Sequence, residues 1–261
     1  MKSRRRFRNR PYSLLARFYD RIVEGVPAMN RYARARVLGK RLERPGAVCD
    51  LACGSGETAL DLARRGHDVV AVDSSPTFRR IVREKAAKAG LRVKVRRGDM
   101  RTFRLAQPVD ILLCEFAALN NLDERDDLGR VFRRVARALK PGGTFAFDVN
   151  TPLAFETQTP RGGFCETSEF KLVMHGVVED RGRRIPLHLD WFLPDRGRYR
   201  HVRETIVHVA WTVAEIRRAL KAAGFGRIRV FDGADVRPKA FCPNRGTDLY
   251  FLARRARAGV G

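Results

Sequence analysis

The stretch Val48-Cys49-Asp50-Leu51-Ala52-Cys53-Gly54-Ser55-Gly56-Glu57-Thr58 joins an apolar strand signal, an acid near its end and a glycine turn that opens a helix. Glycine serves where backbone turns tightly and a ligand approaches without a Cβ in the way, and a helix N-terminus leaves several amides free for acceptors. This is a nucleotide-binding crossover, and taken alone it has two solutions. Gly54-x-Gly56-x-x-Ala59 fits the dinucleotide fingerprint, with Asp73 at the distance of an acid that holds ribose hydroxyls. Asp50 argues the other way. A carboxylate in the place where helix amides would face a pyrophosphate repels it, and suits a cofactor that carries positive charge.

Working outward, Glu57 to Arg65 reads as a helix with Ala59, Leu60, Leu62 and Ala63 toward one side, closed by Gly66. Val69 to Val72 is a short apolar strand ending at Asp73 and Ser74. Ser75-Pro76 caps the next helix, whose buried face is Phe78, Ile81, Val82, Ala86 and Ala89. A strand from Leu91 to Val95 leads to Gly98-Asp99-Met100. Val109 to Cys114 is the fourth strand, Leu128 to Leu139 a helix, and Leu139-Lys140-Pro141-Gly142-Gly143 the turn into a fifth strand, Thr144 to Val149. Strand-helix units in series predict a parallel sheet covered on both faces, with ligands outside the carboxyl ends of the strands.

These motifs, in this order, resemble those of the class I S-adenosylmethionine-dependent methyltransferases, whose first motif reads acid-x-G-x-G-x-G. Ala52 stands here in place of its first glycine. The resemblance implies a Rossmann-like α/β fold with a seven-stranded sheet, mostly parallel with the last strand antiparallel, and S-adenosyl-L-methionine as cofactor. It assigns to the cofactor the turn residues Asp50, Ala52, Gly54 and Gly56, then Asp73 and Ser74 at the ribose, and Asp99 and Met100 at the adenine, with Cys114 ending the fourth strand beside them. The carboxylates of Asp50, Asp73 and Asp99 are expected to line one crevice.

Phe18-Tyr19-Asp20, Leu119-Asn120-Asn121-Leu122 and Phe147-Asp148-Val149-Asn150-Thr151-Pro152 resemble, more narrowly, the small-molecule branch that includes amino-sugar N-methyltransferases and many bacterial relatives. There an N-terminal helical cap closes over the cofactor and the tyrosine matching Tyr19 faces the reaction centre. Tyr32 and Arg36 are expected in the same cap, where a cation pairs with the cofactor carboxylate. Glu115, Asn121 and Asn150 are the substrate-pocket candidates. Relatives place a histidine base where this chain has Asn121, and asparagine takes up no proton at neutral pH. No catalytic residue is assigned on this basis.

From Phe164 to Val209 the helix signals stop. Three segments, 170–175, 185–192 and 203–209, alternate with a period of two, separated by Asp180-Arg181-Gly182 and Pro194-Asp195-Arg196-Gly197. An antiparallel β insertion is expected here; in the resembled group it roofs the substrate pocket and often pairs subunits, so a homodimer is possible. His175, His188, His201 and His208 have no common metal spacing and are read as strand residues, with no metal site expected. Thr212-Val213-Ala214-Glu215 is a capping box opening a helix that ends at Gly224, followed by strands Ile228 to Phe231 and Leu249 to Ala253. This pair matches the reversed hairpin of methyltransferase sheets and argues again against a dinucleotide. The domain reading is a basic arm and helical cap over 1–40, the cofactor core over 41–155, the insertion over 156–210, and a return to the sheet with a basic tail over 211–261.

The formal charge of +24 arises from 53 Lys and Arg against 29 Asp and Glu, and six of the first ten residues are basic. Only nine of the 53 are lysine, so a coding preference for arginine accounts for scattered surface charge as well as a nucleic-acid stripe does. An RNA substrate guided by the basic arm, or a cofactor-binding protein without catalysis, are the alternatives to a small-molecule enzyme. The D/N-P-P-Y motif of base-amine methylation and the Pro-Cys nucleophile of base-carbon methylation are both missing from the sequence. No stretch approaches the roughly 20 apolar residues of a membrane span. Cys49, Cys53, Cys114, Cys165 and Cys242 form no C-x-x-C pair, which fits reduced thiols and a cytoplasmic location.

Overall fold

The computed structural model describes residues 12–124, 126–159, 162–237 and 244–257, so the basic arm 1–10, the tail beyond 257 and Cys242 lie outside the described residues. Strands β1 (Ala47–Leu51), β2 (Asp68–Asp73), β3 (Val93–Arg97), β4 (Val109–Cys114) and β5 (Leu139–Asn150) pair in parallel as β5-β4-β1-β2-β3. β11 (Asp248–Arg255) enters antiparallel between β5 and β10 (Phe225–Asp232), which completes seven strands. The sheet is therefore seven-stranded and mostly parallel with the last strand reversed, as the resemblance implied. The order turns back on itself at β1, and the C-terminal ends of β1 and β4 open a crevice there.

Two apolar layers hold the helices to the sheet. α5 (Asp127–Ala138) and α7 (Val213–Ala222) press Phe132, Val135, Ile216 and Leu220 onto Phe145, Phe147 and Phe251. Phe147 and Phe251, neighbours in the β5–β11 register, stack with centroids 4.9 Å apart. Each fully buried phenylalanine contributes about 2 kcal/mol by transfer from water. On the other face α2 (Val26–Leu38), α3 (Glu57–Arg64) and α4 (Pro76–Lys88) cover Val48, Val69, Ala71 and Leu113. Ser75 caps α4 by accepting from the Phe78 amide, and the Thr212–Glu215 capping box opens α7 with both of its reciprocal bonds.

The Leu139-Lys140-Pro141-Gly142-Gly143 segment, predicted as a turn, is the beginning of β5 itself; the register with β4 jumps from Val109↔Leu139 to Ile111↔Thr144. Gly142 at φ +77° lets the chain bulge there. Two short helices went unread: α6 (Pro152–Gln158), capped by Thr151, and α8 (Gly233–Val236), capped by Asp232. The antiparallel insertion forms a separate four-stranded sheet, with β6 (Gly163–Glu166) added to the three expected strands β7 (Lys171–Gly176), β8 (Arg184–Asp195) and β9 (Arg198–Val209). β6 is too short and too half-exposed to register as an alternating run.

This second sheet carries α1 (Ser13–Ile22) on its inner face, where Phe18 packs against Phe170 at 4.6 Å and Trp191 at 5.6 Å. α1 has no cap of its own, since Tyr12 sits in the left-handed region and offers no side-chain acceptor. Glu204 of β9 takes over that task from 190 residues away: its Oε1 accepts from the Ser13 and Leu14 amides and the Ser13 hydroxyl, and Oε2 from the Leu15 amide at 3.0 Å and Trp191 Nε1 at 3.1 Å. Five donors converge on one buried carboxylate. Glu204→Ala strands these donors in an apolar setting, at about 1–3 kcal/mol per unsatisfied buried group, partly relieved by water. We expect a stability loss of about 3 kcal/mol, read by urea unfolding followed through tryptophan fluorescence, with Glu204→Gln recovering part of it.

Candidate cofactor and acceptor site

The turn after β1 is built as the sequence requires. Ala52 adopts φ +57°, Gly54 +52° and Gly56 +85°, so three of five consecutive residues occupy the left-handed region. Ala52 bears a modest strain there that glycine would avoid. A Cβ on Gly56 would strike Val82 at 2.7 Å, which makes that glycine a packing requirement. A Cβ on Gly54 would meet nothing within 4 Å, so at that point the backbone faces open space available to a ligand.

Asp50 and Asp73 stand at the ends of β1 and β2 on either side of this turn, near enough for the Asp73 charge to act on Asp50. Asp73 Oδ2 accepts from the Gly54 amide at 3.0 Å and Oδ1 from the Ser75 amide at 2.8 Å, which fixes the carboxylate at the end of β2 beside Ser74. Its pKa is raised by burial, against the amides that favour the ionised form. Asp50 is more extreme. It is fully sealed, its Oδ2 has no hydrogen-bond partner, and burial, followed by the nearby Glu115 charge, pushes it up to about 8. An unpaired buried carboxylate oxygen costs free energy unless a cation or donor reaches it. The donor set suits a ligand that carries an ammonium, and Gly54 leaves room for one.

Asp99 and Met100 stand at the neighbouring strand end, since the Gly98 amide bonds the Asp73 carbonyl. Met100 Sδ lies 3.8 Å from Cys114 Sγ, so those two side chains form one wall. Asp99 is engaged by its own neighbour: Arg101 Nε donates to Oδ1 at 2.9 Å and Nη2 to Oδ2 at 2.7 Å, which holds the carboxyl below its usual range. The geometry thus couples Asp50 with Asp73 and gives Asp99 a separate partner.

Above the turn, α1 supplies Tyr12 and Tyr19, both set against Phe78 of α4; the Tyr19 ring meets it edge-on at 5.3 Å. Tyr19, Asp50, Ala52, Gly54 and Glu115 share a narrow cavity of about 30 Å³. Burial and the Asp148 charge push the Tyr19 phenol up to about 12, and burial with the Tyr19 and Asp73 charges drives Tyr12 higher still. Both remain donors at neutral pH. Tyr12 donates to Asn121 Oδ1, while Asn121 Nδ2 holds the Ala118 carbonyl. Asn150 closes β5; its amide donates to Asn120 Oδ1 at 2.9 Å and its carbonyl accepts from Asn120 Nδ2 at 3.0 Å. Asn120 also ties Val209, and Trp211 Nε1 donates to the Leu119 carbonyl, so the segment bearing Asn121 is anchored to the roof.

Tyr32 and Arg36, expected in the cap beside the cofactor carboxylate, pair with each other on α2. Tyr32 is 43% exposed, and Arg36 lies over its ring on the outer side of α2. The buried cation is Arg34. Its Nη1 bonds Glu115 Oε2 and, at 2.8 Å, the Thr58 hydroxyl, and its Nη2 bonds Asp61 at 3.0 Å. Glu115 is accordingly a partner of Arg34 and Thr58 at the edge of the crevice. Asp148 had no role assigned to it. Its Oδ2 accepts from the Ala117 amide, steadying Phe116 and Ala117, both at positive φ; its Oδ1 is unpartnered, and burial with the Glu115 charge pushes it up to about 7. A single acid set within the apolar residues from Phe145 to Val149 is the available signal. Away from this site, His175, His188 and His201 lie on one face of the second sheet around Asp190, which His201 and Arg203 hold down at about 2, while His208 packs on Phe155.

Residues 48–143, which carry β1 through the start of β5, match the family model described as a methyltransferase domain. The chain is 25% identical over 255 residues to the Bacillus subtilis (strain 168) protein named "Putative methyltransferase YqeM", covering 95% of this chain and 99% of that one. It is 24% identical over 206 residues, 76% of this chain and 83% of the relative, to a dTDP-3-amino-3,4,6-trideoxy-alpha-D-glucopyranose N,N-dimethyltransferase from Streptomyces venezuelae. Among solved structures, an S-adenosylmethionine-dependent methyltransferase from Clostridium acetobutylicum ATCC 824 superposes with a TM-score of 0.77 at 20% identity, over 94% of this chain and 99% of that one.

Arg34→Met leaves Glu115 and Asp61 buried without their shared cation, and we expect about 3–5 kcal/mol of destabilisation in urea unfolding. Adding Glu115→Gln to the same chain is expected to restore a measurable part of it.

Proposed function

We propose that this chain, an S-adenosylmethionine-dependent methyltransferase acting on a small molecule, binds its cofactor in the crevice at the C-terminal ends of β1, β2 and β4 and presents to it an acceptor that arrives uncharged beneath α1. The orphaned Oδ2 of Asp50 carries the reading, because it is a buried carboxylate oxygen beside the open face of Gly54. When bound, S-adenosylmethionine supplies a methyl group already activated on a sulfonium. Asp50, with the Ala52, Gly54 and Gly56 turn, receives the ammonium end. Asp73 and Ser74 accept the ribose hydroxyls, and Asp99, Met100 and Cys114 flank the adenine.

Acceleration comes from positioning for in-line displacement. Tyr12 and Tyr19 keep their protons at neutral pH and act as donors, and Asn121, oriented by Tyr12, offers amide groups without basicity. Asn150 borders the same mouth, and Glu115 sets the field around Asp50 through Arg34. Tyr12, Tyr19 and Asn121 offer no base to the acceptor, so a neutral amine or an already ionised hydroxyl is the fitting nucleophile. Relatives named for amino-sugar N,N-dimethylation and for O-methylation in ubiquinone biosynthesis support a small polar acceptor. No helix among the described residues is long and apolar enough to cross a membrane.

An Asp50 pKa of about 8 in the free site means the carboxyl is largely protonated at pH 7. The ammonium favours the ionised form, so binding releases a proton, and affinity rises as pH climbs toward that value. Calorimetry at pH 7 in buffers of differing ionisation enthalpy should detect release approaching one proton; Asp50→Asn should abolish it. The acceptor class is tested by supplying cofactor labelled in its methyl group to fractionated cell extract. Label is expected in the low-mass fraction, with Asn121→Ala lowering the transfer rate while cofactor affinity changes by less than about twofold. Label appearing solely in RNA or protein would overturn the assignment.

A further inference from the structure

The edge of the sheet opposite the crevice gathers positive charge into a surface. An open cleft of about 740 Å³ is bordered by Lys40, Arg41 and Arg44 after α2, by Lys140 and Gly142 of β5 and by Arg254 of β11. Its single carboxylate, Asp110, is already taken by Lys140 at 2.8 Å and the Ala47 amide at 3.0 Å. Among the described residues, no carboxylate pairs with Lys40, Arg44 or Arg254. The α2 C-terminus favours nearby cations, which accounts for part of the lysine and arginine after it, but has no bearing on β11.

Two further observations point to an anion. Arg254 donates Nε and Nη2 to the Gly142 carbonyl at 3.2 and 2.9 Å, and Arg257 comes to the same glycine with no such partner: a Cβ there would lie 3.3 Å from Arg257 Nε and 3.7 Å from Arg254 Nη2. Like charges brought together without a carboxylate repel, and an anion between them reverses the sign. In the wall of the same cleft His67 is buried, and Gly46 donates to its Nδ1, so the proton sits on Nε2. That N–H is the one orphaned buried side-chain donor among the described residues. The surface then continues. A second cleft shares Gly142 and Arg254 and adds Arg227 and Arg257, and a third shares Arg257 and reaches Arg137, with no carboxylate lining either. A lone phosphate needs one such cleft; successive clefts with shared walls suit a chain of phosphates.

We propose that this basic edge binds the phosphodiester backbone of a nucleic acid, with one phosphate seated between Lys40, Arg44 and Arg254 beside His67 and the strand running past Arg257 toward Arg137. The contacts are to phosphate, so the binding is independent of base sequence and steeply salt-dependent. It stands apart from methyl transfer, which occupies the other end of the strands.

The test uses the full chain, freed of co-purifying nucleic acid, and a fluorescein-labelled single-stranded RNA of about 20 nucleotides, followed by anisotropy across about 50–200 mM KCl. The triple variant Lys40→Glu, Arg44→Glu, Arg257→Glu is expected to bind at least about tenfold more weakly and to flatten the log–log salt slope by about 1.4, roughly 0.7 for each of the two phosphates lost, one held by Lys40 with Arg44 and one by Arg257. Its S-adenosylmethionine affinity should match the parent, which shows the fold intact and separates this proposal from the cofactor assignment. Deleting residues 2–10 should leave the effect of the triple variant in place. Unchanged RNA binding by the triple variant, abolition of binding by the arm deletion, or displacement of the RNA by polyglutamate of equal charge would each overturn the proposal.

Discussion

The crevice depends on a guanidinium buried among acids. Arg34 reaches from α2 into the space between α3 and β4 and there offsets Asp61 and Glu115 directly and Asp50 at longer range. Without that charge Glu115 and Asp50 would share a water-poor pocket at the sheet's switch point, where mutual repulsion is poorly screened, while Asp61 would keep Arg31 and Arg65. Even with it the balance is incomplete. Asp50 and Asp148 each keep an oxygen without a partner, and both are raised into the neutral range by burial and by Glu115. The site is therefore held slightly too acidic by its own construction, which is the condition a cationic ligand relieves.

That imbalance has a counterpart at the other end of the strands. Carboxylates cluster where β1, β2 and β4 finish, while Lys140 and Arg254 collect where β5 begins and β11 ends. A formal charge of +24 spread evenly would leave neither end distinctive. The segregation sets a field along the strand direction that draws a positive ligand to one face and negative chains to the other.

The inner parallel strands were legible because they are buried and read as largely apolar runs with glycine or acid at their ends; Val109–Cys114 matched to the residue, whereas the half-exposed edge strand β3 lies two residues beyond the expected 91–95. The capping box at Thr212 and the Ser75 cap were legible because their chemistry is local. What escaped was set by distance along the chain. Arg34 and Arg36 are indistinguishable in a helix read without partners, and only the packing against Thr58 and Glu115 selects the first. Lys140-Pro141-Gly142-Gly143 reads as a turn by composition, yet the β4 pairings at Leu139 and Thr144 bracket it and carry it into the sheet as a bulge. Glu204, in an alternating strand, carried no mark of its attachment to Ser13.

Glu204 also bears on how such a chain can be altered. Gly25 at φ +81° turns the chain from α1 into α2, and the space under Tyr19 is narrow, about 30 Å³. Because the carboxylate fastens α1 to β9, the helix and the four-stranded sheet would travel as a single lid. A transplanted roof that lacked this acid would arrive without its own latch, so acceptor preference could be exchanged between relatives only by grafting the first helix and the insertion together.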